Sequence, residues 1–364
     1  MSVTMRDVAV LARVSVKTVS NVVNNHPHVH PVTRSRVEQA IAELGYRPNL
    51  SARGLRSGRT GVIGLAVPEL RQNYFAELAD AVILAAERQN LSVIVGQAGR
   101  DRQHEINVLA NGLRQTDGLL FSPERLGTED VELLDVVDYP LVLLGERIFG
   151  GPADHVTMHN VSASRAAVEH LLAQGRRRIA VLGAHPDRRE NQLRASDLRV
   201  RGYREALEIA GLPHDPDLER MVAPWHQEDG ARAMDELIDS GVEFDALFAL
   251  NDTLALGALR SLGKSGRRIP DDVALIGFDN ITDGRFTLPS LSTVDPGRDE
   301  IAERAIGMLI ERIEWGPRSP RPPRLHKARF HIVERESTVG GAATDRTVRN
   351  EVAESVDFST DSAT

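Results

Sequence analysis

From residue 61 onward the chain repeats one pattern: a short apolar run, an amphipathic stretch, then another apolar run. The runs are GVIGLAV at 61–67, LSVIVGQ at 91–97, DGLLFS at 117–122, PLVLLGE at 140–146 and HVTM at 155–158. RRIAVLG at 177–183, ERMVAP at 219–224, DALFAL at 245–250 and DVALIGF at 272–278 follow. Helical stretches lie between them, among others at 75–88, 164–174, 201–210, 230–240 and 253–262. Runs this continuously apolar are buried on both faces, which requires parallel strands with helices on either side. About nine such strands suit two lobes better than one sheet. The pattern predicts an α/β core of two doubly wound parallel sheets over 61–336.

Folds of this kind hold ligands beyond the carboxyl ends of their strands. Those ends deliver Glu69 with the pair Tyr74-Phe75, then Gln97, Arg100, Ser122 and Glu146-Arg147. In the second half they deliver Trp225, Asn251-Asp252 and Asp279-Asn280. Taken singly, each of these residues serves as well for helix capping or loop satisfaction. Together they suit a polyhydroxylated ligand: a ring stacks on the C–H face of a sugar while amides, carboxylates and arginines take its hydroxyls.

The charge is unevenly spread. The 364 residues carry a net −8, yet residues 1–60 hold nine Lys and Arg against three acids, a net of +6 that leaves −14 on the remainder. A basic head on an acidic body points to a polyanionic partner for the head alone. No apolar run of 18 residues exists, the first residues lack a secretory pattern, and there is no cysteine. Those observations predict a cytoplasmic protein without a spanning helix, disulfide or thiolate-ligated metal.

The head reads as three short helices. Thr4 caps the first, with Asp7 suited to its positive start, and Val8, Ala9 and Ala12 give one apolar face. Ser15 caps the second, whose Val19, Val22 and Val23 turn inward and leave Val16, Lys17, Ser20, Asn21 and Asn24 outside. The third follows Pro31, buries Val37, Ala40, Ile41 and Leu44, and stops at Gly45. Two helices around a tight turn, the second with a polar and basic face, fit a DNA major groove. Lys17 can donate to guanine O6 and N7, and Asn21 pairs with adenine; Asn24 and Thr33 would hold phosphates. The helix pattern alone fits a three-helix bundle with an ordinary polar surface equally well. The histidines of HPHVH at 26–30 alternate in a loop with no acid nearby, so no metal site is expected.

Residues 3–49, VTMRDVAVLARVSVKTVSNVVNNHPHVHPVTRSRVEQAIAELGYRPN, resemble almost without gaps the head of the lactose/galactose repressor (LacI) family of bacterial transcription regulators. The resemblance implies that Val16, Lys17 and Asn21 read bases. It implies that Met5, Ser20, Asn24, His28, Thr33, Tyr46 and Asn49 mostly touch the DNA backbone, with Ser15 and Thr18 beside them. Arg13 departs from the family, in which many members carry Gly in the turn. Residues 50–59, LSARGLRSGR, read by themselves as a flexible linker. By the resemblance, 47–60 is a hinge that orders on the operator, with Leu55 wedged into the minor groove and flanked by Ala52, Arg53 and Arg56. The likeness continues through DGLLFSP, PLVLLGER, AVEHLLAQGRRRIAVLG, RVRGYREAL, DALFALNDTLALGALRSLG and RIPDDVALIGFDN. It implies a two-lobed core like that of periplasmic binding proteins, in which Arg199, Trp225, Asn251 and Asp279 contact the effector. Tyr74, Phe75 and Arg100 are secondary candidates. Gln72-Asn73 stands where Asn-Pro is frequent and His159 where Asp is common, so the effector's identity does not carry over; Trp225 favours a sugar over a purine.

Residues 337–364 are rich in Ser, Thr, Asp and Glu and are expected to be a disordered tail. They lack the leucine heptads of tetrameric relatives, so a homodimer is expected. ALRSLGKS at 258–265 loosely matches a phosphate loop but lacks the strand–loop–helix order, and neither a nucleophile elbow nor an HExxH pair occurs. The reading is therefore a regulator rather than an enzyme, with no cofactor. It is a homodimer on pseudo-palindromic double-stranded operator DNA, repressing carbohydrate-utilisation genes and released by a small sugar. An activator or global regulator using a corepressor or protein partner is the alternative within the same class.

Overall fold

The computed structural model describes residues 3–23, 26, 28–46, 59–99, 101–113, 116–149, 151–185, 194–316, 321–340 and 346–348. The chain divides into one compact unit over 1–61 and a second over 62–364.

In the first unit, α1 spans Met5–Leu11, α2 Val16–Val23 and α3 Pro31–Leu44. Each helix starts where its sequence supplies an acceptor or a fixed φ. The Asp7 carboxylate accepts from the Thr4 amide at 2.8 Å and from its hydroxyl at 2.7 Å, which holds its own pKa below the usual carboxylate range. Ser15 Oγ accepts from the Thr18 amide at 3.1 Å, and Pro31 occupies the first turn of α3. Gly45, at φ 60°, ends α3. The turn between α1 and α2 runs through Arg13 at φ 52°, so the arginine adopts the left-handed conformation that glycine would take without strain. Val8, Ala9, Ala12, Val19, Val22, Val37, Ala40 and Tyr46 form the core of this unit.

The second unit contains two sheets. Strands β1 (Val62–Val67), β2 (Ser92–Gln97), β3 (Leu119–Phe121), β4 (Leu141–Leu144), β5 (Asp154–Met158) and β11 (Leu325–Ala328) form the first, ordered β11-β5-β4-β3-β1-β2 and wholly parallel. The second sheet comprises β6 (Ile179–Ala184), β7 (Glu219–Met221), β8 (Ala246–Ala249), β9 (Ala274–Phe278), β10 (Ser292–Asp295), β12 (His331–Glu334) and β13 (Arg346–Val348). Its order is β13-β12-β10-β9-β8-β6-β7. Here β12 and β13 run antiparallel at one edge, so this sheet is mostly rather than wholly parallel.

Helices α4 (Asn73–Glu87), α5 (Arg102–Asn111) and α10 (Arg298–Trp315) belong to the first lobe. Helices α6 (Asn160–Ala173), α7 (Ala195–Ile209), α8 (Gln227–Asp239) and α9 (Asp252–Lys264) belong to the second. The chain passes between lobes at 158–160, 295–298 and 328–331. Helices α8 and α9 pack at van der Waals distance through glycines: a Cβ on Gly257 would stand 2.0 Å from the Gln227 carbonyl, and one on Gly230 2.4 Å from that of Leu254.

The expected disordered tail needs correction at its start. Glu336–Val339 form a helical turn, α11, with Ser337 and Thr338 buried, and Arg346–Val348 pair with β12. Ser337 Oγ donates to the Leu275 carbonyl at 2.6 Å and accepts from the Ser292 amide at 2.7 Å. The segment has few apolar residues and is held by hydrogen bonds to the sheet. Residues 349–364 lie outside the described residues.

Candidate functional site

In the first unit, α2 presents a polar face. Val16 is 38% exposed and Lys17 is exposed, and Asn21 stands one turn from Lys17 on the same side. Ser15 and Thr18 share a hydroxyl contact of 2.9 Å at the start of the helix, where its free amides face outward. Ser20, Thr33 and His28 reach the surface to differing degrees. Met5 and Tyr46 lie elsewhere: Met5 packs against the small core, and Tyr46 is buried within it at 7% exposure. Asn24, Asn49, Ala52, Arg53, Leu55 and Arg56 fall outside the described residues, as does Arg100 of the core.

In the second unit the centre of the candidate cleft is Arg199 on α7, 4% exposed. Its Nε donates to Asn160 Oδ1 at 2.8 Å and one terminal nitrogen to the Leu250 carbonyl. The other lies 3.4 Å from Met158 Sδ and 3.4 Å from Asp279 Oδ1. The guanidinium stacks 3.6 Å from the centre of the Phe278 ring and lies 5.8 Å from that of Trp225. Every edge of the group is held, so its orientation is fixed before any ligand arrives. Trp225 is fixed too, by Nε1 donating to the Gly183 carbonyl at 3.0 Å.

Asp279 ends β9 at φ 110° and is 5% exposed. Burial raises its pKa to about 7 against the opposing pull of Arg199 and Arg298, with the Glu146 carboxylate adding to the rise. Tyr74 feels the same groups. Burial and the carboxylates of Asp279 and Glu146 hold its phenol well above the ordinary range, against Arg199 and Arg298. Phe75 meets Tyr74 edge-on at 5.3 Å. The structure thus brings Tyr74, Phe75, Arg199, Trp225 and Asp279 to one place.

Asn251 is also at this strand end, but its Oδ1 is taken as the cap of α9, accepting from the Leu254 amide at 2.8 Å. Its neighbour Asp252 accepts from Thr293 Oγ1 at 2.7 Å and from the Ile281 amide at 2.9 Å; burial, then the Asp279 charge, drives its pKa well up.

Asn160, Phe278 and Arg298 escaped the sequence reading. Asn160 is the hub between Arg199 and Glu146 Oε1, to which its amide donates at 2.7 Å. The strand-end rule applied to HVTM would have reached it two residues on. Phe278 looks in sequence like one more apolar strand residue, and Arg298 like one more surface charge.

The rim of the seam between lobes is polar. Glu69 Oε2 lies 3.0 Å from His226 Nε2, Arg71 pairs with Glu228, Asn73 donates to Asp283, and Glu77 accepts from the Thr282 amide at 2.7 Å.

Residues 4–49 match the model of the bacterial regulatory proteins of the lacI family, and residues 168–338 match that of the periplasmic binding protein-like domain. The HTH-type transcriptional regulator CelR of Thermobifida fusca is 34% identical over 344 residues, covering 92% of this chain and 98% of its own length. The chain belongs to the LacI family. It is a DNA-binding transcriptional regulator, as the members of this family are, and not an enzyme. Among solved structures, a LacI-family regulator from Sanguibacter keddieii is 52% identical with a TM-score of 0.71, covering 78% of this chain and all of its own. A complex of CelR with cellobiose is 31% identical with a TM-score of 0.66, covering 92% of this chain and 99% of its own. The likeness to these structures confirms the α/β architecture of a helix-turn-helix head and a periplasmic-binding-like core. No helix among the described residues is long and apolar enough to cross a membrane.

Proposed function

We propose that this LacI-family member represses carbohydrate-utilisation genes as a homodimer on a pseudo-palindromic operator, and that a small neutral sugar in the cleft releases it. Two heads on a twofold dimer meet two half-sites. In each, Val16, Lys17 and Asn21 address bases, while Ser15, Thr18, Ser20, Asn24, His28 and Thr33 address phosphates. Residues 47–60 serve as the hinge, with Leu55 as its wedge. Tyr46 and Met5 pack into the core of the head and touch the DNA backbone from its edge.

The observation that carries the sugar reading is the Arg199–Asp279 pair, preset beneath Tyr74 and Trp225. A fixed guanidinium and a carboxyl side by side match adjacent hydroxyls, one accepting and one donating, and an indole matches a C–H face. Glu146, and Glu77 at 2.8 Å from Arg298, offset Arg199 and Arg298, so the site offers no net positive charge to an anion even while Asp279 holds its proton. The relative bound to cellobiose supports a glucose-based sugar as the first candidate.

A thermal-shift panel of cellobiose, glucose, ribose and a free purine tests the reading, followed by gel shifts on genomic fragments captured by the protein. Stabilisation by a sugar together with release of the captured fragment is expected. Stabilisation by the purine alone, or a sugar that tightens the complex, would overturn it.

A further inference from the structure

Two consecutive non-glycine residues at the cleft corner, Asp279 and Asn280, adopt positive φ, at 110° and 50°. Asparagine tolerates that backbone better than most residues, but glycine tolerates it better still. The side chain of Asn280 does what a glycine cannot. Its Oδ1 accepts from Arg335 Nη2 at 2.7 Å, and its Nδ2 donates to Asp295 Oδ2 at 2.8 Å.

The two partners lie in different surroundings. Arg335 is 2% exposed and clamped to the body of the second lobe, donating from Nη1 to the Leu291 carbonyl at 2.8 Å. Asp295 is the last residue of β10 before the chain crosses to the first lobe. Its other oxygen, Oδ1, accepts from the Gly297 amide at 2.8 Å, inside the crossing. Gly297, at φ 77°, is packed against the neighbouring crossing so closely that a Cβ there would stand 2.3 Å from the Arg329 carbonyl. A continuous set of bonds and contacts therefore runs from Arg335 through the Asn280 amide and the Asp295 carboxylate to two of the three segments about which the lobes must turn.

We infer that Asn280 is a positioning residue that couples the Asp279 corner to the interlobe crossings. A ligand that draws on the Asp279 carboxyl displaces the adjoining residue, and the Asn280 amide passes that displacement to Asp295 and Gly297. The inference rests on the cleft reading above, and its test is divided so that the two can fail separately.

The polarity of the Asn280–Asp295 bond permits a reciprocal swap. Asn280→Asp sets two carboxylates face to face, and Asp295→Asn sets two amide donors face to face. The double variant restores one bond with donor and acceptor exchanged, while the amide oxygen introduced at position 295 still accepts from Gly297. Asn280→Gly keeps the backbone conformation and removes the amide. Hydrogen exchange of the Gly297 amide is measured in the full-length ligand-free protein, with the amides of β8 and β9 as controls for global stability. About tenfold faster exchange is expected at Gly297 in Asn280→Gly and in both single swaps, with recovery to wild type in the double variant and unchanged controls. Gly297 exchange within twofold of wild type in all three single variants overturns the coupling, and so does a double variant no better than its parents.

With cellobiose as probe, binding is read separately by tryptophan fluorescence. Cellobiose is expected to slow Gly297 exchange in the wild type but not in Asn280→Gly, although both bind. Equal slowing in the two proteins overturns the inference. A wild type whose fluorescence responds neither to cellobiose nor to the other sugars of the panel defeats the sugar reading, while the ligand-free swap still decides the coupling.

Discussion

The Asp279 carboxyl releases its proton near pH 7 in the folded chain, against 3.8 for the ordinary group, because burial outweighs the attraction of Arg199 and Arg298. The folded state therefore holds a proton between pH 4 and 7 that the unfolded state has lost. By linkage, stability must fall as pH rises through that window and level off above it. At about 1.4 kcal/mol per pH unit, the loss between pH 5 and pH 8 is about 3 kcal/mol. Asp279→Asn removes the titration and keeps the shape. The thermal midpoints of variant and wild type should therefore diverge as pH rises, by about 5 °C in the variant's favour between pH 5 and pH 8.

Scanning calorimetry of both proteins at pH 5, 6, 7 and 8 reads this directly. Comparing the pair cancels Glu105, a buried carboxyl with raised pKa that titrates alike in both, whereas Asp252, raised in part by the Asp279 charge, comes down when that charge is removed and is read together with it. A gap that stays constant over the range would refute the reasoning. It would mean that the ion pair with Arg199 outweighs burial, and that the carboxylate is charged over the whole range, as it is in the unfolded chain.

Three further outcomes follow from named residues. Lys17→Ala should relax preference at one base position in a selection on randomised operators, with a discrimination loss of about 1–3 kcal/mol at that position and little elsewhere. Trp225→Ala should abolish sugar-induced release in a gel shift while operator affinity stays within about twofold; parallel loss of operator binding would place the indole in the fold rather than in the cleft. Gly257→Ala should cost more than about 3 kcal/mol in chemical denaturation, because its methyl would stand 2.0 Å from the Gln227 carbonyl and two helix backbones must separate to admit it.

The sequence reveals most where apolar burial makes the pattern. The nine runs read as strands correspond to β1 through β9; the inner ones are buried nearly end to end, while the edge strands β2 and β7 are partly exposed. Strands β10 to β13 are not apolar: Ser292 and Thr293 are fully buried, yet polar, and β11 and β12 read LHKA and HIVE. Their place is set by hydrogen bonds from distant segments, such as Arg335 and Ser337 to Ser292, and no local pattern encodes those. The same division holds in the cleft. Arg199, Trp225 and Asp279 sit at strand or helix ends that motif matching reaches. Phe278 lies under the guanidinium only because β9 and α7 meet in space. Asn251 shows the converse limit, since a residue type suited to a ligand is equally suited to a helix cap, and its Oδ1 is spent there.

The seam between lobes bears on what a ligand can achieve. A ligand shifts the arrangement of the lobes only by the difference in its affinity for the alternatives. An apolar seam of domain-core quality would demand more than a small molecule can supply. Within this one, Tyr74, Phe75 and Trp225 pack against a single apolar cluster drawn from both lobes, while its rim is made of Glu69 with His226, Arg71 with Glu228, Asn73 with Asp283 and Glu77 with the Thr282 amide. Contacts of that kind exchange with water at little net cost. The rim therefore adds little resistance to lobe movement, which comes instead from the apolar contacts and from the crossings, where Gly297 meets Arg329 and Asp295 is tied on both oxygens. A ligand acting on Asp279 does so one residue of chain and one amide away from the crossings, which makes that corner a place where a ligand gains leverage on the lobes.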